Sequence, residues 1–159
     1  MKNKIYISAF LVAFVLMASP ISFASAKGNI SDNIRIKSKA LGYDLQYRVY
    51  IPNGIKSGDK LPTIYITDGE SYAKKGRMIA ALDKGIATGN IKPVIAIFVD
   101  ARDPDNLKVN RRNEQFFCKK EYVDFFTSEL LPLIDQTYST SPQRDERVIL
   151  GVSFGGFNS

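Results

Sequence analysis

Arg147-Val-Ile-Leu-Gly-Val-Ser-Phe-Gly-Gly156 is the stretch that decides the fold. Val148 to Leu150 predict a short strand over 147–150, and the pattern G-x-S-x-G follows at once with Ser153 at its centre. Nucleophilic chemistry on a serine in that pattern needs a strand that stops abruptly, a strained backbone at the serine and a helix leading away. Gly151 and Gly155 lack the side chains that would crowd so sharp a turn, and Gly156 adds further room. Ser153 would then project its hydroxyl above the carboxyl ends of the strands, where open α/β sheets place their sites. The spacing is not that of a P-loop or a dinucleotide fingerprint, which sets it apart from a phosphate-binding serine at a helix N-terminus.

Working back from this turn, the chain alternates strands with helices. Asn33–Lys39 and Tyr43–Ile51 alternate apolar and polar residues around Ala40-Leu-Gly42, which predicts an antiparallel hairpin. Pro62–Thr67 and Pro93–Val99 are continuously apolar or β-branched, the pattern of strands buried on both faces, and they end at Asp68-Gly69 and Asp100. Between them Met78, Ile79, Leu82 and Ile86 have helical spacing closed by Gly89. After a long polar segment, 101–119, a second helix has Val123, Phe126, Leu130 and Ile134 as its apolar stripe, with Pro132 kinking or restarting it. The order predicts an α/β fold: a mainly parallel sheet, helices on both faces and a hairpin at the N-terminal side. No repeat and no second domain is visible, so residues 27–159 are expected to belong to a single domain.

The N-terminus reads as a signal peptide over residues 1–26. Lys2 and Lys4 precede an apolar run from Ile5 to Met17 that is short for a bilayer span, and Ala24 and Ala26 supply an A-x-A cleavage pattern. A retained membrane anchor is the alternative. Cleavage would start the mature chain near Lys27, with no stable anchor and an exported, periplasmic or secreted, destination. It would also leave 20 basic residues against 16 acidic ones, scattered rather than gathered in a stripe, which argues against nucleic acid as a partner. The one cysteine, Cys118, has no partner for an internal disulfide and no histidine to activate it, so it is read as a buried or loop residue.

With these pieces in order, the chain resembles the Putative esterase family of α/β-hydrolases, which includes enterochelin esterases, esterase D and feruloyl esterases. Gly151-Val-Ser-Phe-Gly-Gly156 looks like its G-x-S-x-G-G elbow, and Ile64-Tyr-Ile-Thr-Asp-Gly69 like its strand ending in D-G. Arg112-Asn-Glu114, then Glu129-Leu-Leu-Pro-Leu-Ile134 and Tyr138, is similar to its R-x-E loop and E-L-x-P-x-I helix. The resemblance implies an α/β-hydrolase fold, Ser153 as nucleophile, and an oxyanion hole from the backbone N–H groups of Phe154 and Glu70. It implies a small-molecule ester substrate, no metal and no organic cofactor. The role of Phe154 follows from elbow geometry as well. That of Glu70 rests on the resemblance, since Asp68-Gly69-Glu70 alone also reads as a plain strand-ending turn.

The sequence departs from a complete hydrolase in one respect: it contains no histidine. In this fold the triad acid and histidine follow the nucleophile, so Asp68, Asp100, Asp103 and Glu114 are all declined as triad acid, and Arg112 with Glu114 is read as a loop-fixing ion pair in preference to a substrate clamp. The expectation is an N-terminal portion of an esterase, ending just after the elbow with less than a turn of the following helix and inactive by itself. A catalytically dead binding module is the competing reading. The resemblance admits both hydrolysis of an ester and acyl transfer to an alcohol.

Overall fold

The structure is a computed structural model that describes residues 27–158; the expected signal peptide, 1–26, lies outside them. Strands β1 (Asn29–Ile30), β2 (Ile34–Lys37), β3 (Asp44–Ile51), β4 (Thr63–Ile66), β5 (Ile95–Asp100) and β6 (Arg147–Leu150) form one six-stranded sheet. The expected hairpin is there, with Ile34 opposite Tyr47 and Lys37 opposite Asp44. β1, which sequence patterning did not reveal, continues the same edge by pairing with Tyr50 and Ile51. β3 then pairs antiparallel with β5, and β5, β4 and β6 run parallel. Two of the parallel strands are the continuous apolar runs, and β5 is buried at every position, as a strand covered on both faces must be.

Period-two alternation sorts the strands onto two cores. On one face Leu45, Tyr47, Val49, Tyr65, Ile95, Ile97 and Val99 meet the aromatic side chains of the 112–134 region. On the other, Tyr50, Ile66, Ala96 and Phe98 meet Leu82 of helix α2. Helices α1 (Gly69–Lys74) and α2 (Met78–Ala87) cover that second face, and Gly89 follows α2 at φ 72°, the left-handed position expected of it.

The helical region after β5 differs from its sequence reading in two ways. The polar segment 101–119 contains a short helix, α3 (Arg112–Phe116), and the helix after it is broken into α4 (Lys120–Asp124), a π-helical turn (Phe125–Leu130) and α5 (Leu131–Thr137). Pro132, which has no N–H to give the preceding turn, sits at the start of α5, and the wide turn directly before it accommodates that loss. The buried stripe also starts one residue earlier than the sequence spacing suggests. Tyr122, not Val123, leads it: Tyr122 is 1 % exposed and Val123 47 %, while Phe126, Leu130 and Ile134 are buried as expected. Beyond β6, residues Ser153–Asn158 wind into a 3₁₀ helix, more regular than the fragment of a turn expected there.

Candidate active site

The elbow is built by steric necessity at two glycines. β4 and β6 are hydrogen-bonded neighbours, and their ladder ends where Ile66 lies opposite Leu150 and Thr67 N–H donates to the Leu150 carbonyl at 3.0 Å. There the chain leaves β6, and Ser153 takes φ 53°, a left-handed conformation costly for a side-chain-bearing residue. The following turn folds so tightly that a Cβ on Gly151 would lie 2.2 Å from the Gly155 carbonyl oxygen, and one on Gly155 would lie 2.8 Å from Thr67 Oγ1. Gly156 is not needed in the same way, because its Cβ would meet nothing closer than 3.4 Å. Ser153 is exposed, and its hydroxyl has no hydrogen-bond partner among the described residues.

Glu70 faces the same cleft, a cavity of about 780 Å³ lined by Asp68, Glu70, Arg102, Arg112 and Ser153 among others. It is the second residue of α1, where backbone N–H groups have no intrahelical acceptor. Its carboxylate points elsewhere, to Lys74 Nζ at 2.5 Å and Arg102 at 3.7 Å. Gly69 before it is as constrained as Gly151: a Cβ there would sit 2.3 Å from the carbonyl carbon of Phe98 in β5. The structure therefore brings Ser153 and Glu70 to one cavity, with Phe154 next to Ser153 in the 3₁₀ helix.

The four carboxylates near strand ends are all committed to arginines. Arg112 Nε and Nη2 donate to the two oxygens of Asp68 at 2.6 and 2.7 Å. Arg102 forks onto Asp100 at 2.9 and 2.6 Å, and Gln46 donates to the same carboxylate at 3.0 Å. Arg111 pairs with Asp103 at 2.6 Å and with Glu114 at 3.4 Å. The expected Arg112–Glu114 pair is thus replaced. Residues two apart on a helix point to nearly opposite sides, so Glu114 meets Arg111, three residues back, and Arg112 is left to Asp68. No sequence signal marks the Asp68–Arg112 contact, which spans 44 residues. Beneath it, burial first and the nearby Asp68 second push the Tyr122 phenol well above its ordinary range. Cys118 is an exposed loop residue between α3 and α4.

The profile of the family described as Putative esterase matches residues 38–159. The chain is 28 % identical over 95 residues to the iron(III) enterobactin esterase of Dickeya dadantii (strain 3937), covering 60 % of this chain and 21 % of that protein. It is 27 % identical over 142 residues to the endo-1,4-beta-xylanase/feruloyl esterase of Xylanibacter ruminicola, covering 83 % of this chain and 19 % of that one. Among solved structures, the enterobactin esterase from Shigella flexneri in the presence of enterobactin superposes with a TM-score of 0.69 at 24 % identity, over 80 % of this chain and 31 % of that one. The chain therefore spans about a fifth of the length of these two curated relatives. On a profile match across most of its length, and on the α/β-hydrolase fold it shares with solved esterases, the chain belongs to the Putative esterase family.

Proposed function

We propose that this chain carries the nucleophile half of a serine esterase that hydrolyses a small-molecule carboxylic ester. The observation that carries the reading is Ser153, held at φ 53° and exposed at the rim of the cleft that Glu70 also lines. In this reading the Ser153 hydroxyl loses its proton to a base and attacks the acyl carbon. The carbonyl oxygen, now an oxyanion, is received by the N–H groups of Phe154 and Glu70, worth several kcal/mol in the transition state. Collapse expels the alcohol and leaves an acyl-serine, which water hydrolyses in the second half-reaction. The base is supplied from outside these 159 residues, which include no histidine, and an acid orients it. Residues 1–26 act as a cleaved signal peptide, and the mature product works outside the cytoplasm with residues 27–159 as part of one hydrolase domain.

A fluorophosphonate probe should label Ser153 in the complete gene product and leave Ser153→Ala unlabelled. Equal labelling of both removes the nucleophile assignment. The missing histidine favours a second reading, a non-catalytic binding module. For that, residues 27–159 alone should melt cooperatively and bind an ester without turnover.

A further inference from the structure

We infer that Arg112 is a positioning residue that sets the spacing between the two oxyanion donors, by gripping Asp68 on one side and lying over Phe154 on the other. The inference rests on the serine-esterase reading above. Asp68 immediately precedes Gly69-Glu70, and its backbone is held at φ 54°, so any rotation at Asp68 moves the Glu70 N–H. Arg112 prevents that rotation with two hydrogen bonds of 2.6 and 2.7 Å, a fork that matches a carboxylate and that lysine cannot reproduce. The same guanidinium lies 5.7 Å from the centroid of the Phe154 ring and 5.4 Å from that of Phe116. Phe154 in turn packs edge-on against Phe116 and Phe117, at ring-centroid distances of 6.2 and 5.2 Å.

The two turns also touch directly. A Cβ on Gly155 would come within 3.2 Å of Asp68 Oδ2, so the carboxylate held by Arg112 is one wall of the elbow. One planar cation therefore bears on the residue before one donor turn and on the residue that carries the other donor. With side-chain exposures of 32 % for Arg112 and 16 % for Asp68, the pair is shielded enough for its geometry to persist in water. A displacement of either donor by about 1 Å costs on the order of a hundredfold in rate.

The test is a cycle of Arg112→Lys, Asp68→Asn and the double variant in the complete gene product. Turnover of p-nitrophenyl acetate and the rate of Ser153 phosphonylation are followed together. Each single variant should lower kcat about tenfold or more with KM changed less than about twofold, and the double variant should be no slower than the slower single. A rise in KM at unchanged kcat would make Arg112 a substrate clamp and overturn the inference, as would additive losses or unchanged rates. Thermal melts accompany the kinetics, and loss of the fold in both single variants would assign the pair to stability and overturn it as well. If Ser153→Ala keeps its turnover, the esterase reading fails. If Ser153→Ala is dead while Arg112→Lys is unimpaired, only the positioning role fails.

Discussion

Two turns at the same end of the sheet hold a side-chain-bearing residue at nearly the same left-handed angle, Asp68 at φ 54° and Ser153 at φ 53°, and they are supported in opposite ways. Both follow a parallel strand, and each has a glycine pressed against backbone, Gly69 on β5 and Gly151 on the 3₁₀ helix. At Asp68 the side chain itself offsets the strain, through the bidentate contact with Arg112, and the next residue, Gly69, lies against a strand buried at every position. At Ser153 the hydroxyl makes no such contact among the described residues, and the strand leading to it is only partly buried. Strain of about 1–3 kcal/mol per residue persists only where the surroundings over-determine it. Asp68 is fixed by its own chemistry. Ser153 is fixed by the glycines around it and keeps its oxygen available.

The largest effect should come from the glycines. Gly69→Ala drives a methyl group into the backbone of Phe98, which cannot move without disturbing β3 and β4, and should cost about 3 kcal/mol. Gly151→Ala presses on the Gly155 carbonyl in a helix at the margin of the sheet. It should cost less, about 1–2 kcal/mol, while slowing Ser153 labelling far more than its stability loss explains. Chemical denaturation of the two variants compares them. A larger loss for Gly151→Ala would mean that the elbow is the more rigid of the two turns.

Next in size is the exchange of strain for contact. Ser153→Gly relieves a left-handed serine that gives up no hydrogen bond to the described residues, so the variant should gain about 1 kcal/mol of stability as it loses labelling. Asp68→Gly gains the same relief but forfeits a charged, partly buried pair worth about 1.5–3 kcal/mol, and should be net destabilised. Denaturation midpoints that move in the same direction for both would erase the distinction between the turns.

Much of this arrangement was legible in the sequence because it is local. The hairpin, both buried strands, α2 with Gly89 and the strand-to-helix turn at Ser153 each follow from residues close together in the sequence. The parts that were not legible depend on contacts across the fold. Arg112 reaches Asp68 over 44 positions, α3 hides in a polar segment, and the choice of Tyr122 over Val123 for the buried stripe is made by packing against the aromatic core. The motif alone suggests a steric role for Gly156, and only the neighbouring atoms show that its Cβ would have space.

The support on the Asp68 side extends into the loop that delivers Arg112, and that part responds to acid. The Asp103 carboxyl is held below the usual range first by the backbone N–H of Asp105 and then by the Arg111 guanidinium. A carboxyl depressed in the folded state contributes stability that is complete above its unfolded value, about pH 4, and is lost as pH falls through the folded value. Asp103→Asn should therefore flatten the acid limb of the stability curve below about pH 4 and leave the neutral region nearly level. An unchanged acid limb would mean that the Asp103–Arg111 pair adds nothing to the stability of this loop.

The smallest effect, Gly156→Ala, separates steric need from flexibility. At Gly151 and Gly155 the space for a methyl group is closed by backbone and by Thr67, whereas at Gly156 the nearest atom is the Gly151 oxygen at 3.4 Å, an ordinary contact. Alanine also costs less conformational entropy than glycine in a helical turn, by about 0.5–1 kcal/mol. Gly156→Ala should thus leave stability within about 0.5 kcal/mol or raise it slightly, with Ser153 labelling unchanged within about twofold. If it instead slows labelling as much as Gly151→Ala, the elbow needs a mobile 3₁₀ helix rather than two cleared positions. The contrast with the Asp68 turn would then be one of motion and not of packing.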